Sequence, residues 1–277
     1  MRDPARAAVL AEKGVTLIRG DLDNISALRE LSSDCHAVIH GAGAVRGACQ
    51  ADFDAVNVTG TSNLLGALQH CAPQARLLML SSLTARQPEL SWYGHSKYES
   101  EQLLTPKAPL DWVVLRPPAV YGPGDKEMLP VFEAMARGIA TVPGSLESRA
   151  SLIHVSDLVE AIIACLNCPA ASGHSLYLHD DQEGGYSWSD MAAIAEQVYG
   201  RKVRLWQVPA WLLDSVAAIN LASARLTGRS PMLTPPKLRE LRHPDWSVDN
   251  AEITRLTGWQ PQVKLRKGLE LLKNSTV

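Results

Sequence analysis

Leu77-Leu78-Met79-Leu80-Ser81-Ser82 is an apolar run closed by two hydroxyls. Trp112-Val113-Val114-Leu115 repeats the apolar run after a helix-compatible stretch from Ser96 to Leu104. Four consecutive apolar residues leave no polar face, which is how a strand reads when helices cover its sheet on both sides. Upstream, Val15-Thr16-Leu17-Ile18 and Ala37-Val38-Ile39-His40 read as further strands, and Asn57 to Leu68 as a helix. Downstream, Leu152-Ile153-His154-Val155 reads as a late strand of the same sheet, with Ser156-Asp157 capping a helix that runs through Cys165. Strands alternate with helices, so the expected fold is α/β, a doubly wound and mainly parallel sheet.

After Pro169 the elements become short and isolated. A turn at Gly184-Gly185 precedes a helix from about Ser189 to Tyr199, and an apolar helix follows from Trp211 to Leu226. The Pro231 to Pro236 stretch interrupts the pattern, and Gly258-Trp259-Gln260-Pro261 turns the chain before a last helix from about Leu265 to Leu272. Residues 1–122 are expected to form the sheet domain, rejoined by strand 151–156 and helix 157–167, and residues 123–277 mainly a smaller substrate lobe. Asp214, Asn220 and Arg225 interrupt the apolar helix, which favours a lobe or pocket wall over a membrane-surface element.

With 277 residues, 46% of them hydrophobic and 20% charged, the chain can bury a sizeable core and is not a disordered one. Its net charge of -2 provides no overall positive field for nucleic acid or an anionic membrane. No apolar stretch reaches the ~18 residues of a membrane span, and no leader-like apolar region follows Met1. The expectation is a cytoplasmic protein with a small-molecule ligand and no nucleic-acid or membrane partner. Five cysteines, at 35, 49, 71, 165 and 168, are too sparse for a disulfide framework. Cys165 and Cys168 have ligand-like spacing but lack a second pair, so they read as buried helix thiols. His174, His179, Asp180, Asp181 and Glu183 fall in a glycine-rich stretch that reads as a solvated loop, and no metal is expected.

Tyr93 and Lys97, in Tyr93-Gly94-His95-Ser96-Lys97, carry the most chemistry. Residues four apart share a helix face, so a phenol and an ammonium can reach one ligand, and a nearby cation stabilises a phenolate. A solvated surface pair is the ordinary alternative. Ser81-Ser82 argues against it, because these residues end the Leu77 strand where a parallel sheet presents its C-terminal edge to ligands. A hydroxyl, a phenol and an ammonium then converge on one place.

In order along the chain, further segments resemble the extended short-chain dehydrogenases/reductases, in particular the NAD-dependent epimerase/dehydratase group. Gly20-Asp21-Leu22 resembles the turn that holds adenine, and Val38-Ile39-His40-Gly41-Ala42-Gly43 the small-residue turn under the cofactor pyrophosphate and ribose. Asn57-Val58-Thr59-Gly60-Thr61 resembles the helix that braces the catalytic strand, and Leu115-Arg116-Pro117-Pro118-Ala119-Val120-Tyr121-Gly122 the segment beside nicotinamide. The resemblance implies a Rossmann-like sheet that binds NAD or NADP, with Asp21, Leu22, His40, Ala42, Gly43, Tyr93, Lys97, Pro118, Ala119 and Val120 as cofactor contacts. It implies that Tyr93 is the acid/base, that Lys97 binds the nicotinamide ribose and lowers the Tyr93 pKa, and that Ser82 bonds the reacting oxygen. Ser81 and Thr84 are the fallback hydroxyls. His40 and Asn57 read as loop braces acting through backbone hydrogen bonds.

Two departures shape the functional expectation. The family's first strand and glycine-rich turn do not precede Arg2-Asp3-Pro4-Ala5-Arg6, so the fold is expected to be N-terminally incomplete and cofactor binding weakened. Met1 is then expected to be either a start placed inside the natural chain, since a valine codon GTG can be read as an initiating Met, or an artificial boundary; the alternative is a genuine short protein that has lost cofactor binding. An exposed first sheet edge would also allow a homodimer. Ala119 and Ala150 replace an Asn and an Arg that contact the sugar diphosphate in nucleotide-sugar members. A bland pocket suits a less polar alcohol or ketone, with Trp188, Trp206 and Trp211 each expected as a pocket wall or, equally, as lobe core. The expected function is an NAD(P)-dependent oxidoreductase acting on a carbinol or carbonyl through Ser82, Tyr93 and Lys97. The alternatives are a nucleotide-sugar epimerase and a non-catalytic accessory or scaffold protein of the same fold.

Overall fold

The computed structural model describes residues 7–104, 110–227, 231 and 233–275. Two helices, α1 (Ala8–Glu12) and α2 (Ile25–Ser32), precede strand β1 (Ala37–His40). Helix α3 (Gln50–Asp54) passes through a π-helical turn (Ala55–Thr59) into α4 (Gly60–Cys71), then β2 (Arg76–Leu80), α5 (Trp92–Gln102) and β3 (Asp111–Arg116). The chain continues through β4 (Ala119–Tyr121), α6 (Leu129–Ala136), β5 (Ile139–Val142), β6 (Arg149–Ala150), β7 (Leu152–His154) and α7 (Val155–Leu166). Strand β8 (Ser175–Tyr177), α8 (Trp188–Tyr199), β9 (Arg204–Gln207) and α9 (Ala210–Thr227) follow. Helix α10 (Pro235–Leu241), β10 (Asp245–Trp246), α11 (Ala251–Thr257) and α12 (Leu265–Ser275) complete the described chain.

The main sheet has the order β1-β2-β3-β8, every pair parallel, with Ile39 beside Leu78, Leu78 beside Val113 and Leu115 beside Leu176. Alternation along β2 sends Leu77 and Met79 to one face and Leu78 to the other. On the first face they meet Leu64 and Leu68 of α4, and on the second Leu158 and Ile162 of α7 with Ile253 of α11. Both faces are therefore covered, which is why the strand reads as an unbroken apolar run. Burying each such leucine contributes about 1.5–3 kcal/mol. A separate core joins Tyr121, Phe132, Leu152, Met191 and Leu269 from the C-terminal elements. A capping box at Ser187 and Asp190 starts α8, and Gly200 at φ +69° ends it.

The structure departs from the sequence reading in several places. Val15-Thr16-Leu17-Ile18 forms no strand among the described residues, because β-branched composition supplies a propensity and does not by itself make a ladder. Strand 152–154 does not join the main sheet: it pairs in parallel with β4, Ile153 beside Val120. Strand β8, expected in the lobe, takes the fourth place in the main sheet instead. His154, not Ser156-Asp157, caps α7, and Asp157 accepts from the backbone N–H groups of Gln262 and Val263. Cys165 is buried in α7, whereas Cys168 lies beyond the helix and donates to the Leu256 carbonyl. His179 and Asp180 are buried and not solvated: Tyr186 donates to Asp180 at 2.6 Å, and burial pushes this carboxyl up to about 6. Helix α9, expected as lobe core or pocket wall, buries only Ala217 and Ala224. Trp206 and Trp211 are exposed, and Trp188 alone of the three candidate walls packs on the C-terminal core.

Candidate active site

Helix α5 begins because the Ser91 hydroxyl accepts from the Gly94 N–H at 2.9 Å. Gly94 lets it start close to the preceding turn, since a Cβ there would lie 2.8 Å from the Thr84 carbonyl oxygen. Ser91 also donates to Glu240 at 2.6 Å, which ties α5 to α10. Tyr93 and Lys97 then stand one turn apart, next to the C-terminal end of β2.

Ser82 caps the turn at residues 83–86 by accepting from the Thr84 N–H at 3.2 Å and the Thr84 hydroxyl at 2.9 Å. It is also close enough to the Tyr93 phenol to favour its ionised form. The two fallback hydroxyls face elsewhere: Ser81 is buried and donates to Glu101, and Thr84 donates to Ser82. Glu101, one turn beyond Lys97, accepts the Arg116 Nε–H on both carboxylate oxygens at 3.0 and 3.1 Å and the Nη2–H on Oε2 at 2.5 Å, and Arg116 Nη1 donates to Tyr177 at 2.7 Å. The Lys97-to-Glu101 spacing was the available signal for this partner.

Lys97 donates from Nζ to the Leu80 carbonyl at 2.7 Å. Burial lowers its pKa to about 8, against the opposing pull of Glu101. Burial raises Tyr93 to about 12; the Ser82 hydroxyl works in the opposite direction, and the Glu240 carboxylate adds to the rise. The expected lowering of Tyr93 by Lys97 is therefore absent here: the ammonium serves the backbone, and desolvation dominates the phenol.

The loop after β1 completes the arrangement. A Cβ on Gly43 would lie 3.1 Å from Asn57 Oδ1 and 4.0 Å from Lys97 Nζ, so this turn runs directly over the Lys97 head group. Asn57 fixes it, accepting from the Ala44 N–H at 2.7 Å and donating to the Ala44 carbonyl at 3.0 Å and to Ser96 at 2.8 Å. His40 braces through a side chain instead of the backbone, meeting Thr61 Oγ1 at 2.9 Å. Gly41, Ala42 and Gly43 are exposed. Farther along the edge, Leu22 packs where a Gly60 Cβ would be, 2.7 Å from Leu22 Cδ1, and its carbonyl accepts from Asn63. Asp21 is exposed and accepts from the Asp23 N–H at 3.2 Å.

Pro118, Ala119 and Val120 are half-buried past the end of β3, and the Leu83 N–H bonds the Pro117 carbonyl at 2.9 Å beside Ser82. Because the sheet is parallel, the segments after His40, Leu80 and Arg116 all emerge along one edge, where open α/β sheets receive ligands. Arg149, one residue from the place of the expected diphosphate contact, donates to the carbonyls of Gly184 and Gly185 at 2.6 and 3.2 Å and pairs with Asp190. Sequence reasoning did not select Lys237, whose ammonium stands 5.8 Å from the Tyr93 ring centre. It lines a cleft with Val45, Phe53, Trp92 and Pro236. Among the described residues no group of acidic, His and Cys side chains has metal-site geometry.

Comparison with known proteins bears on the family and the fold. The chain is 33% identical over 239 residues to a ceramide reductase of Caulobacter vibrioides, covering 86% of this chain and 74% of that protein. It is 27% identical over 188 residues to a UDP-glucose 4-epimerase of Vibrio cholerae, covering 64% of this chain and 51% of the relative. The solved structure of RMD from Pseudomonas aeruginosa complexed with NADPH shares the fold, with a TM-score of 0.71 at 18% identity over 95% of this chain and 90% of that one. The family model of the NAD-dependent epimerases/dehydratases matches residues 2–177. Sequence match and sheet architecture together place this chain in the NAD-dependent epimerase/dehydratase family.

Proposed function

We propose that this protein is an NAD(P)-dependent reductase that converts a ketone on a weakly polar organic substrate to the alcohol. The observation that carries the reading is the convergence at the C-terminal edge of the sheet of Ser82, just past the end of β2, with Tyr93 and Lys97 one turn apart on α5, the Lys97 ammonium bonded to the Leu80 carbonyl at 2.7 Å. The exposed Gly41-Ala42-Gly43 turn over Lys97 leaves backbone room for a dinucleotide, and Asp21, Leu22 and Lys97 would hold its adenine and ribose. When bound, the nicotinamide supplies the hydride.

Ser82 orients the substrate oxygen, and Tyr93 gives its proton to that oxygen as the neighbouring carbon is reduced. A phenol held at about 12 keeps its proton at neutral pH, so in this geometry Tyr93 stands ready as a donor. A protonated phenol suits the reductive direction, and the same residue takes the proton back when the reaction runs the other way. The second reading, a nucleotide-sugar epimerase, is disfavoured because Arg149 is spent on the Gly184 and Gly185 carbonyls and Ala119 offers only a methyl group. A scaffold role is disfavoured because a drifting scaffold has no chemical reason to keep Ser82 against Tyr93. The match to a ceramide reductase points the same way, toward reduction of a lipid-like molecule.

The test is NADPH oxidation with a panel of apolar ketones, run at high cofactor concentration because no glycine-rich pyrophosphate turn lies within these 277 residues. Tyr93→Phe preserves shape and should lower kcat/KM by about 10²–10⁴-fold. Turnover retained in that variant would remove Tyr93 from the reaction, and tight binding of a UDP-sugar would favour the epimerase.

A further inference from the structure

Helix α9 holds an apolar stripe in solvent. Trp211, Ile219 and Leu226 are 69%, 66% and 88% exposed. Positions 211, 215, 219, 222 and 226 follow one line along a helix, and here they read Trp, Ser, Ile, Ala and Leu. The opposite side carries the two residues that α9 buries, Ala217 and Ala224, and the helix packs against α10. Asp214 and Arg225 share one flank, and Asp214 is held by Arg242 at 2.7 Å. The polar residues that interrupt the helix in sequence thus leave the stripe unbroken in space. Just upstream, β9 exposes Trp206, with Arg204 two residues before it on the same side.

The surrounding charge is opposite in sign to that of the whole chain. Between residues 201 and 243 the sequence has eight lysines and arginines and two acids, in a chain of net charge -2. Both acids already hold cations, Asp214 with Arg242 and Glu240 with Lys237. An exposed apolar line on α9, exposed indoles at its start and an excess of cations in the flanking segments are features that favour a bilayer interface. The apolar face enters the acyl boundary, indole favours the headgroup level, and Lys and Arg meet anionic headgroups. Among the described residues no helix is long and apolar enough to cross a membrane.

We propose that α9, together with Trp206, docks this protein on the surface of an anionic phospholipid bilayer. A second copy of the chain is a poorer occupant, because a two-fold contact would bring the same cationic segment against itself. Pro231, Thr234, Pro236 and Lys237, which follow α9 in the chain, line the cleft beside Tyr93. The inference rests on the helix and its charge and does not depend on the identity of the substrate.

Flotation of the full chain with phosphatidylcholine vesicles, with and without phosphatidylglycerol, tests it. Binding is expected with the anionic vesicles only, weakening as salt screens the headgroups. The Ile219→Glu, Leu226→Glu double variant should bind about tenfold or more weakly. Both side chains are exposed, so the variant keeps its fold, which circular dichroism verifies. The proposal is overturned if folded protein ignores both vesicle types, or if the variant binds as well as the parent chain. It is equally overturned if the substitutions abolish a concentration-dependent dimer in sedimentation while vesicles remain unbound, because the face would then belong to a second copy.

Discussion

The His40 imidazole is buried at the end of β1, and the hydrogen-bond network settles its tautomer. Thr61 Oγ1 donates to the Asn57 carbonyl at 2.6 Å, so His40 Nε2 must be the donor in the 2.9 Å contact with that hydroxyl. Burial lowers the His40 pKa to about 4, with the Lys97 charge acting in the same direction. The folded state therefore binds its proton less readily than the unfolded chain, whose His titrates near ~6.5. The stability from keeping His40 neutral is fully present above ~6.5 and is lost as pH falls toward 4. Between pH 7 and pH 5 the parent protein should lose about 1–2 kcal/mol more than His40→Gln in urea unfolding. Equal losses in the two proteins would show that His40 does not carry this linkage. Ser82 presents the complementary case: its sequence neighbour Ser81 has the same side chain, yet Ser81 turns to the buried Glu101 while Ser82, on the other side of the strand end, caps the turn at Thr84.

At the scale of elements, close approach sets the constraints. Helix α12 crosses Tyr121 of β4 at Gly268, where a Cβ would lie 2.7 Å from Tyr121 Cζ. Tyr121 is fully buried, edge-on to Phe132 and to His154, and has no free direction in which to yield. Gly268→Ala should therefore destabilise the protein by about 1–3 kcal/mol, although alanine is the better helix former. A neutral or stabilising result in thermal unfolding would mean that α12 can shift away from β4. The π-helical turn at residues 55–59 obeys similar logic: widening the helix there accompanies Asn57 facing inward to hold the Ala44 loop.

Across the whole molecule, Arg76 joins layers that lie far apart in sequence. From the start of β2 it pairs with Asp111 of β3 at 2.8 Å and donates to the carbonyls of Cys165, Leu166 and Cys168, at 3.0, 3.2 and 2.7 Å, around the end of α7. Its planar fork satisfies carbonyls that a helix terminus leaves open, in a setting where its side chain is only 11% exposed. Arg76→Ala should cost about 3–5 kcal/mol, because Asp111 and three acceptors lose their donor together. Arg76→Lys should recover only part of that loss, since a single ammonium cannot span the set. Full recovery in denaturant titration would reduce the role of Arg76 to charge alone.

The sequence by itself determined the elements whose physics is local or periodic. The apolar runs at 77–80 and 112–115 became central strands, the helical stretches around them formed, and the Tyr93 to Lys97 spacing put both side chains on one helix face. Tertiary structure decided what depends on partners distant in the chain. Residues 15–18 have strand composition and form no strand, while 152–154 chose β4 over the main sheet and 175–177 took the place expected for it. It also decided that His179 and Asp180 are buried and that the stripe of α9 faces water. Spacing fixes which residues share a face, but a ladder needs a neighbour in register, and burial and a shifted pKa depend on what the rest of the chain lays over that face.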